Sequence, residues 1–247
     1  MTTVDAANLH TIMARGSVPA TLAAPAADDP PHRAVVVVQD ARGITPYLKS
    51  VCARIAGNGW LAIAPHLYHR DGIAEVDPAG SWARASAQMA TLTGTGISAD
   101  VNACLAHVAD AGIGPAGTAV LGFCMGGTVA LHTGVRHALG AAVSFYGGGV
   151  STPSWVGVPP LVEIAPRLRT PWLGLYGESD ALITVAEIET LRTAAAHAPV
   201  ETELITYPDA GHAFHSNDRE AVYRPAAAAD AWKRATAFLD RTVSPVW

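Results

Sequence analysis

Thr118-Ala119-Val120-Leu121-Gly122-Phe123-Cys124-Met125-Gly126-Gly127 opens as an apolar run and closes as a glycine-flanked turn. The run suits a strand and the residues after it suit a helix, so Gly122 to Gly126 spans a strand-turn-helix junction. Its form is Gly-x-nucleophile-x-Gly, with cysteine where serine is commoner. A turn this sharp forces its central residue into a strained backbone geometry, and side chains at positions 122 and 126 would collide with neighbouring backbone. The helix expected to begin near Gly126 points its positive end at Cys124, which favours thiolate. The competing reading is a buried, inert cysteine in a glycine-rich turn, but the flanking segments agree on both sides and favour the nucleophile.

The same alternation recurs along the chain. Ala34 to Val38 is continuously apolar and rich in valine, as expected of an inner parallel strand covered on both faces. After Gly43 and Pro46, the positions Leu48, Val51, Cys52 and Ile55 form one apolar helical stripe ending at Gly57 to Gly59. Trp60 to Ala64 predicts a second strand, and a long loop follows through Asp71, Pro78 and Gly80. Ile97, Val101, Cys104, Leu105 and Val108 repeat the helical spacing. Thr118 to Gly122, Ala141 to Tyr146, Pro171 to Tyr176 and Thr202 to Tyr207 are further strands, and a last helix runs from about Pro225 to Leu239. Gly147 to Pro166 reads as an ordered excursion over the sheet. Strands alternating with helices predict an α/β architecture, a mostly parallel central sheet with helices on both faces. All of 1–247 is expected to be one domain, because a chain of this length buries enough surface for a single layered core.

Composition narrows the function classes. With 16 basic and 21 acidic residues the net charge is −5, and no Lys/Arg cluster offers a surface for nucleic acid or an anionic membrane. Gly112 to Val135 lacks charge and is long enough to span a bilayer, but seven glycines and Pro115 fit strand, turn and helix in a buried core better. Three cysteines, Cys52, Cys104 and Cys124, cannot all pair, and they form no CxxC; free thiols and a reducing, cytoplasmic setting are expected. Met1 to Gly16 lacks the basic start and apolar run of a secretion signal. His66 with His69, and His212 with His215, have a spacing that hints at metal, yet neither pair has the extra carboxylate or cysteine of a zinc site, so no metal is expected.

A nucleophile needs a base, and the base needs an orienter. Gly177-Glu178-Ser179-Asp180 follows one predicted strand, and Asp209-Ala210-Gly211-His212-Ala213-Phe214 follows the next, which puts both loops at the carboxyl edge that carries Cys124. Each is weak evidence alone, since an Asp after a strand is usually a helix cap and a lone His is usually structural. Together they give the order Cys124, Asp180, His212, the nucleophile, acid, histidine order of α/β-hydrolases.

From about Arg33 to Leu239 the chain resembles the dienelactone hydrolase, or carboxymethylenebutenolidase, family of the α/β-hydrolase fold. The resemblance rests on Val36 to Asp40, Ala64 to Tyr68, the Gly-Phe-Cys-Met-Gly-Gly turn, Ser144 to Gly147, and Ala210 to Phe214. It implies Cys124 as nucleophile, His212 as base and Asp180 as its orienter, with the backbone N–H groups of Met125 and Ala41 as oxyanion hole. It further implies a thiol-modulating role for Asp40, where the family commonly has Glu; the competing reading of Asp40 is a cap on the helix near Pro46. Family members that take dienelactone hold its carboxylate with arginines. One of those positions is Ser216 here, the other falls to Arg70 or Arg84, and Arg219 lies near enough in sequence to compensate. Tyr146 completes the substrate-binding candidates.

The expected activity is hydrolysis of a small-molecule ester or lactone through a Cys124 acyl-enzyme, with no cofactor. The rival readings are a general carboxylesterase or thioesterase with the same triad, and a non-catalytic scaffold or thiol redox sensor.

Overall fold

The computed structural model describes residues 9–26, 31–76 and 81–245. One eight-stranded sheet organises them, in the order β1-β2-β4-β3-β5-β6-β7-β8. Its strands are β1 (Leu9–Ala14), β2 (Val18–Ala23), β3 (Ala34–Val38), β4 (Leu61–Pro65), β5 (Thr118–Phe123), β6 (Ala141–Phe145), β7 (Trp172–Gly177) and β8 (Thr202–Tyr207). From β4 to β8 every neighbouring pair is parallel, whereas β1 and β2 form an antiparallel hairpin joined antiparallel to β4. The hairpin is absent from the sequence reading, and the reason is visible in β1, whose residues are mostly part-exposed and show no buried apolar run.

The helices are α1 (Pro46–Gly57), α2 (Trp82–Met89), α3 (Gly94–Asp110), α4 (Met125–Arg136), α5 (Leu161–Ile164), α6 (Val185–Ala195) and α7 (Pro225–Thr242). Side-chain alternation along β3 divides them into two layers. Val35 and Val37 pack with Leu48, Val51, Cys52 and Ile55 of α1 and with Ala231, Ala235 and Phe238 of α7. Val36 and Val38 pack with Ile97, Val101 and Cys104 of α3, Val129 of α4 and Ile188 of α6. Cys52 and Cys104 are thus core residues, as their helical spacing predicts. The mostly parallel sheet with helices on both faces is the α/β-hydrolase fold.

The Gly72 to Gly96 stretch, read as loop from sequence, holds α2 and the start of α3. Ser81 and Thr93 cap these helices by accepting the N–H groups of Arg84 and Gly96. Helix α2 buries only Ala85, so it has no apolar stripe to betray it. Pro78 and Gly80 lie outside the described residues. In the 147–166 excursion, Trp155 pairs with Val158 and α5 follows. Among the described residues no helix is long and apolar enough to cross a membrane, and the uncharged 112–135 stretch is β5 and α4.

The junction of β5 and α4 is closely packed. A Cβ on Gly122 would collide with the carbonyl of Gly126, and a Cβ on Gly126 would collide with the carbonyl oxygens of Val38 and Gln39. The first turn of α4 therefore rests directly on the end of β3. We expect Gly126→Ala to cost about 3 kcal/mol through this overpacking, read as a lower midpoint in urea denaturation at unchanged slope.

Candidate active site

Because β3 and β5 to β8 run parallel, the loops leaving their C-terminal ends gather at one edge. Cys124 follows β5, Tyr146 follows β6, Asp180 follows β7, His212 follows β8, and Asp40 and Ala41 follow β3. Cys124 has φ 54° and ψ −119°, a strained region for a side-chain-bearing residue. The strain is held from both sides: its N–H donates to the Phe145 carbonyl at 3.0 Å, and its carbonyl accepts from the Gly127 N–H at 2.9 Å. Tyr146 and Ala213 also have positive φ, so three of the four such non-glycine residues among the described residues belong to this edge. Cys124 is half-buried, whereas Cys52 and Cys104 are wholly buried. Burial pushes the Cys52 thiol up to about 12 and raises Cys104 as well, which leaves both inert.

His212 donates its Nδ1–H to Asp180 Oδ2 at 2.8 Å, and the Asp180 carboxylate is completely buried. Its other oxygen accepts the N–H groups of Leu182 and Ile183 at 2.7 and 3.2 Å. Asp180 is therefore not the cap of α6; that role belongs to Thr184, which forms a capping box with Glu187. Burial lowers the His212 pKa, but the charge of Cys124 and the bond to Asp180 outweigh it and hold the imidazole at about 10. Its Nε2 is buried without a hydrogen-bond partner. The Tyr146 ring packs edge-on against His212 at 5.2 Å, and its hydroxyl is also buried and unpartnered.

The N–H groups of Met125 and Ala41 stand at the ends of adjacent parallel strands. Met125 is the first residue of α4, where the N–H has no intrahelical acceptor, and the Ala41 N–H makes no hydrogen bond among the described residues.

Asp40 is neither a helix cap nor bonded to Cys124. Thr45 caps α1, accepting the Leu48 N–H. The Asp40 carboxylate accepts the Arg42 N–H at 2.8 Å and the Arg42 guanidinium at 3.2 and 3.3 Å. Arg42 reaches on to Asp218 at 2.8 Å, in the loop after His212. Burial would lower its pKa, but Asp40 and Asp218 more than offset this and raise it. Arg42 was not a sequence candidate, although an Asp two residues before it at a strand end is an Asx-turn signal.

The arginine candidates separate. Arg70 is engaged with the fully buried Asp100 through two bonds of 2.7 Å. Arg84 lies on the exposed face of α2. Ser216 is buried and accepts from Arg219 at 3.2 Å, and Arg219 comes within 3.9 Å of Asp40. Of the four, the Ser216 and Arg219 pair is the one linked to Asp40.

The spaced histidines do not converge. His66 meets Thr21 at 2.9 Å, while His69 meets Asp100 at 3.3 Å. His215 turns away from His212 into an aromatic cage of Phe123, Phe145 and Trp232, with Nδ1 2.5 Å from the Tyr47 hydroxyl. Among the described residues no group of three His, Cys, Asp or Glu is placed to hold a metal.

Burial, aided by Arg54, lowers the His215 pKa to about 3. A neutral imidazole held below its ordinary value of 6.5 contributes stability that is whole above pH 6.5 and lost as pH falls toward 3. We expect the melting temperature of the wild type to fall more steeply than that of His215→Gln between pH 6.5 and 4, measured in parallel melts.

Strained cysteine, buried Asp-His pair and free N–H groups at one sheet edge define a hydrolase-type site on an α/β-hydrolase fold. The chain matches the dienelactone hydrolase family over residues 18–243. It is 37% identical over 234 residues to a Salmonella typhimurium protein provisionally named a carboxymethylenebutenolidase, an alignment covering 92% of this chain and 84% of that one. It is 32% identical over 209 residues to the carboxymethylenebutenolidase of Rhodococcus opacus, covering 84% and 80%. A crystal structure of a provisionally assigned dienelactone hydrolase from Klebsiella pneumoniae superposes with TM-score 0.84 at 33% identity, over 95% of this chain and 98% of that one. The chain belongs to the dienelactone hydrolase family and is an enzyme of the carboxylic ester hydrolase class.

Proposed function

We propose that the protein hydrolyses a small-molecule ester or lactone through a Cys124 acyl-enzyme. The observation that carries this reading is the buried Asp180–His212 bond at the same sheet edge as a strained, half-exposed Cys124. Cys124 gives its thiol proton to His212 and its Sγ attacks the acyl carbon, while the electron pair of the carbonyl moves to oxygen, where the Met125 and Ala41 N–H groups receive it. His212 passes its proton to the departing oxygen, and the thioester forms. In the second half His212 takes a proton from water, which attacks the thioester and releases the acid and the thiolate. Asp180 fixes the tautomer throughout. The partner is the small molecule alone, with no nucleic acid or membrane invoked, and the reaction uses a free thiol of the kind a reducing cytoplasm maintains.

A thiolate leaves readily, so the first tetrahedral intermediate reverts whenever the substrate's own leaving group is poor. This favours enol esters and enol lactones over simple alkyl esters. Arg219, beside Ser216 and Asp40, is the cation we assign to a carboxylate on the substrate, in place of Arg70 and Arg84.

The test is hydrolysis of cis-dienelactone beside a neutral enol ester by wild type, Cys124→Ala and Asp180→Asn. We expect Cys124→Ala to abolish turnover and Asp180→Asn to reduce kcat by about 10²- to 10⁴-fold, with dienelactone the preferred substrate. A Cys124-dependent preference for the neutral ester would discard the carboxylate anchor and keep the chemistry. Turnover that survives in Cys124→Ala would overturn the acyl-enzyme. No Cys124-dependent turnover of either substrate, with a peroxide sensitivity that Asp180→Asn leaves unchanged, would favour a thiol sensor.

A further inference from the structure

We propose that Tyr68 and Asp40 are positioning residues that clamp one peptide plane between them and so aim the Ala41 N–H at the developing oxyanion. The inference rests on the acyl-enzyme reading. The Tyr68 hydroxyl donates to the Ala41 carbonyl at 2.9 Å, and the Asp40 carboxylate accepts the Arg42 N–H at 2.8 Å. These are the two ends of the same peptide unit, which is planar, so bonds at both ends fix its rotation. The preceding unit carries the Ala41 N–H itself. Its carbonyl, that of Asp40, accepts the Gly43 N–H at 3.1 Å, which points the N–H away from the turn.

The frame around this turn is stiff. Ile44 donates to the Ala74 carbonyl at 2.8 Å and Val76 to the Arg42 carbonyl at 2.8 Å. Gly43, with φ 90°, leaves no room for a Cβ against the Ala74 carbonyl. Tyr68 is buried, so its hydroxyl does not exchange its acceptor for water, and it also lies 3.5 Å from Met125 Sδ, on the second oxyanion residue. The segment carrying Tyr68 is pinned in turn. Leu67 N–H donates to the buried Gln39 side chain at 3.2 Å, and the buried Asp100 binds both His69 and Arg70. Asp100 thereby acquires a purpose: it anchors the residues directly after Tyr68.

This assigns Asp40 a role of shape, distinct from a charge that tunes the thiol. The experiment compares Tyr68→Phe, Asp40→Ala and Asp40→Asn with wild type in three assays. The first is turnover of the enol ester. The second is inhibition by an aldehyde matching its acyl group, in which Cys124 Sγ bonds the carbonyl carbon, the π pair moves to oxygen and the thiol proton follows it through His212. The third is alkylation by iodoacetamide, in which Sγ displaces iodide and no oxyanion forms. We expect Tyr68→Phe and Asp40→Ala to lower kcat by about 10- to 100-fold with KM within about twofold, and to weaken aldehyde inhibition by the same factor. Alkylation against pH should match wild type, and Asp40→Asn should recover most of the loss, because its amide oxygen still accepts the Arg42 N–H.

If Asp40→Ala and Asp40→Asn both shift the alkylation profile and lose kcat alike, Asp40 acts by charge and the clamp is wrong. Unchanged kcat and aldehyde inhibition in Tyr68→Phe would also overturn it. Should Tyr68→Phe fail to fold, the contrast between the two Asp40 variants decides. Turnover that survives complete alkylation of wild-type Cys124 marks a different failure, that of the acyl-enzyme, and removes the proposal with it.

Discussion

The carbonyls of Val38 and Gln39 leave no space for a side chain at position 126, and the site is built on that contact. It brings the first turn of α4 against the end of β3, so two loops far apart in sequence share one edge. Cys124 is forced into its positive φ by the same turn, which is held by hydrogen bonds to β6 and within α4. Strain is then located where the chemistry needs it, while the valines of β3, buried on both faces, supply the stability that maintains it. Fully burying each contributes about 2 kcal/mol.

A second constraint is electrostatic. The loop after β3 and the loop after β8 belong to opposite regions of the chain and are joined by Arg42, which bonds Asp40 on one side and Asp218 on the other. Arg219 adds a third contact through Ser216 and Asp40. These charges are only partly exposed, so their attraction is stronger than that of a surface pair and less screened by salt. The arrangement couples the segment carrying the Ala41 N–H to the segment bearing His212. A movement of one loop must therefore be accommodated by the other.

What the sequence disclosed follows from the kind of signal each feature leaves. The inner strands and α1, α3 and α7 were readable because burial imposes a period on apolar residues. The turn at Cys124 was readable because close approach and positive φ restrict residue type at Gly122 and Gly126. The chain order of Cys124, Asp180 and His212 was readable because parallel strands deliver their following loops to one edge. The strand β1 and the helix α2 were not, since elements that bury little impose no such period, and β2 buries Ala20, Thr21 and Ala23, small or polar residues that make no apolar run. Arg42 and Tyr68 escaped for a different reason. Both act on backbone groups of neighbouring turns, and any turn offers such groups, so no spacing in the sequence singles them out.

Asp40 shows how side-chain length selects between roles. An Asp at a strand end reaches the N–H two residues ahead without extending, which is the geometry of an Asx turn and is the one observed with Arg42. A Glu, one methylene longer, would have to fold back to reach that same N–H. With Asp, both carboxylate oxygens are engaged by Arg42 through three bonds, and the 7% exposure of the residue leaves little water to compete. The shorter side chain thus trades reach toward Cys124 for rigidity of the Ala41–Arg42 peptide, the neighbour of the one that carries the Ala41 N–H. On the clamp proposed above, that rigidity passes to the neighbouring Ala41 N–H, and a preorganised N–H needs no reorientation as charge develops on an oxygen it faces.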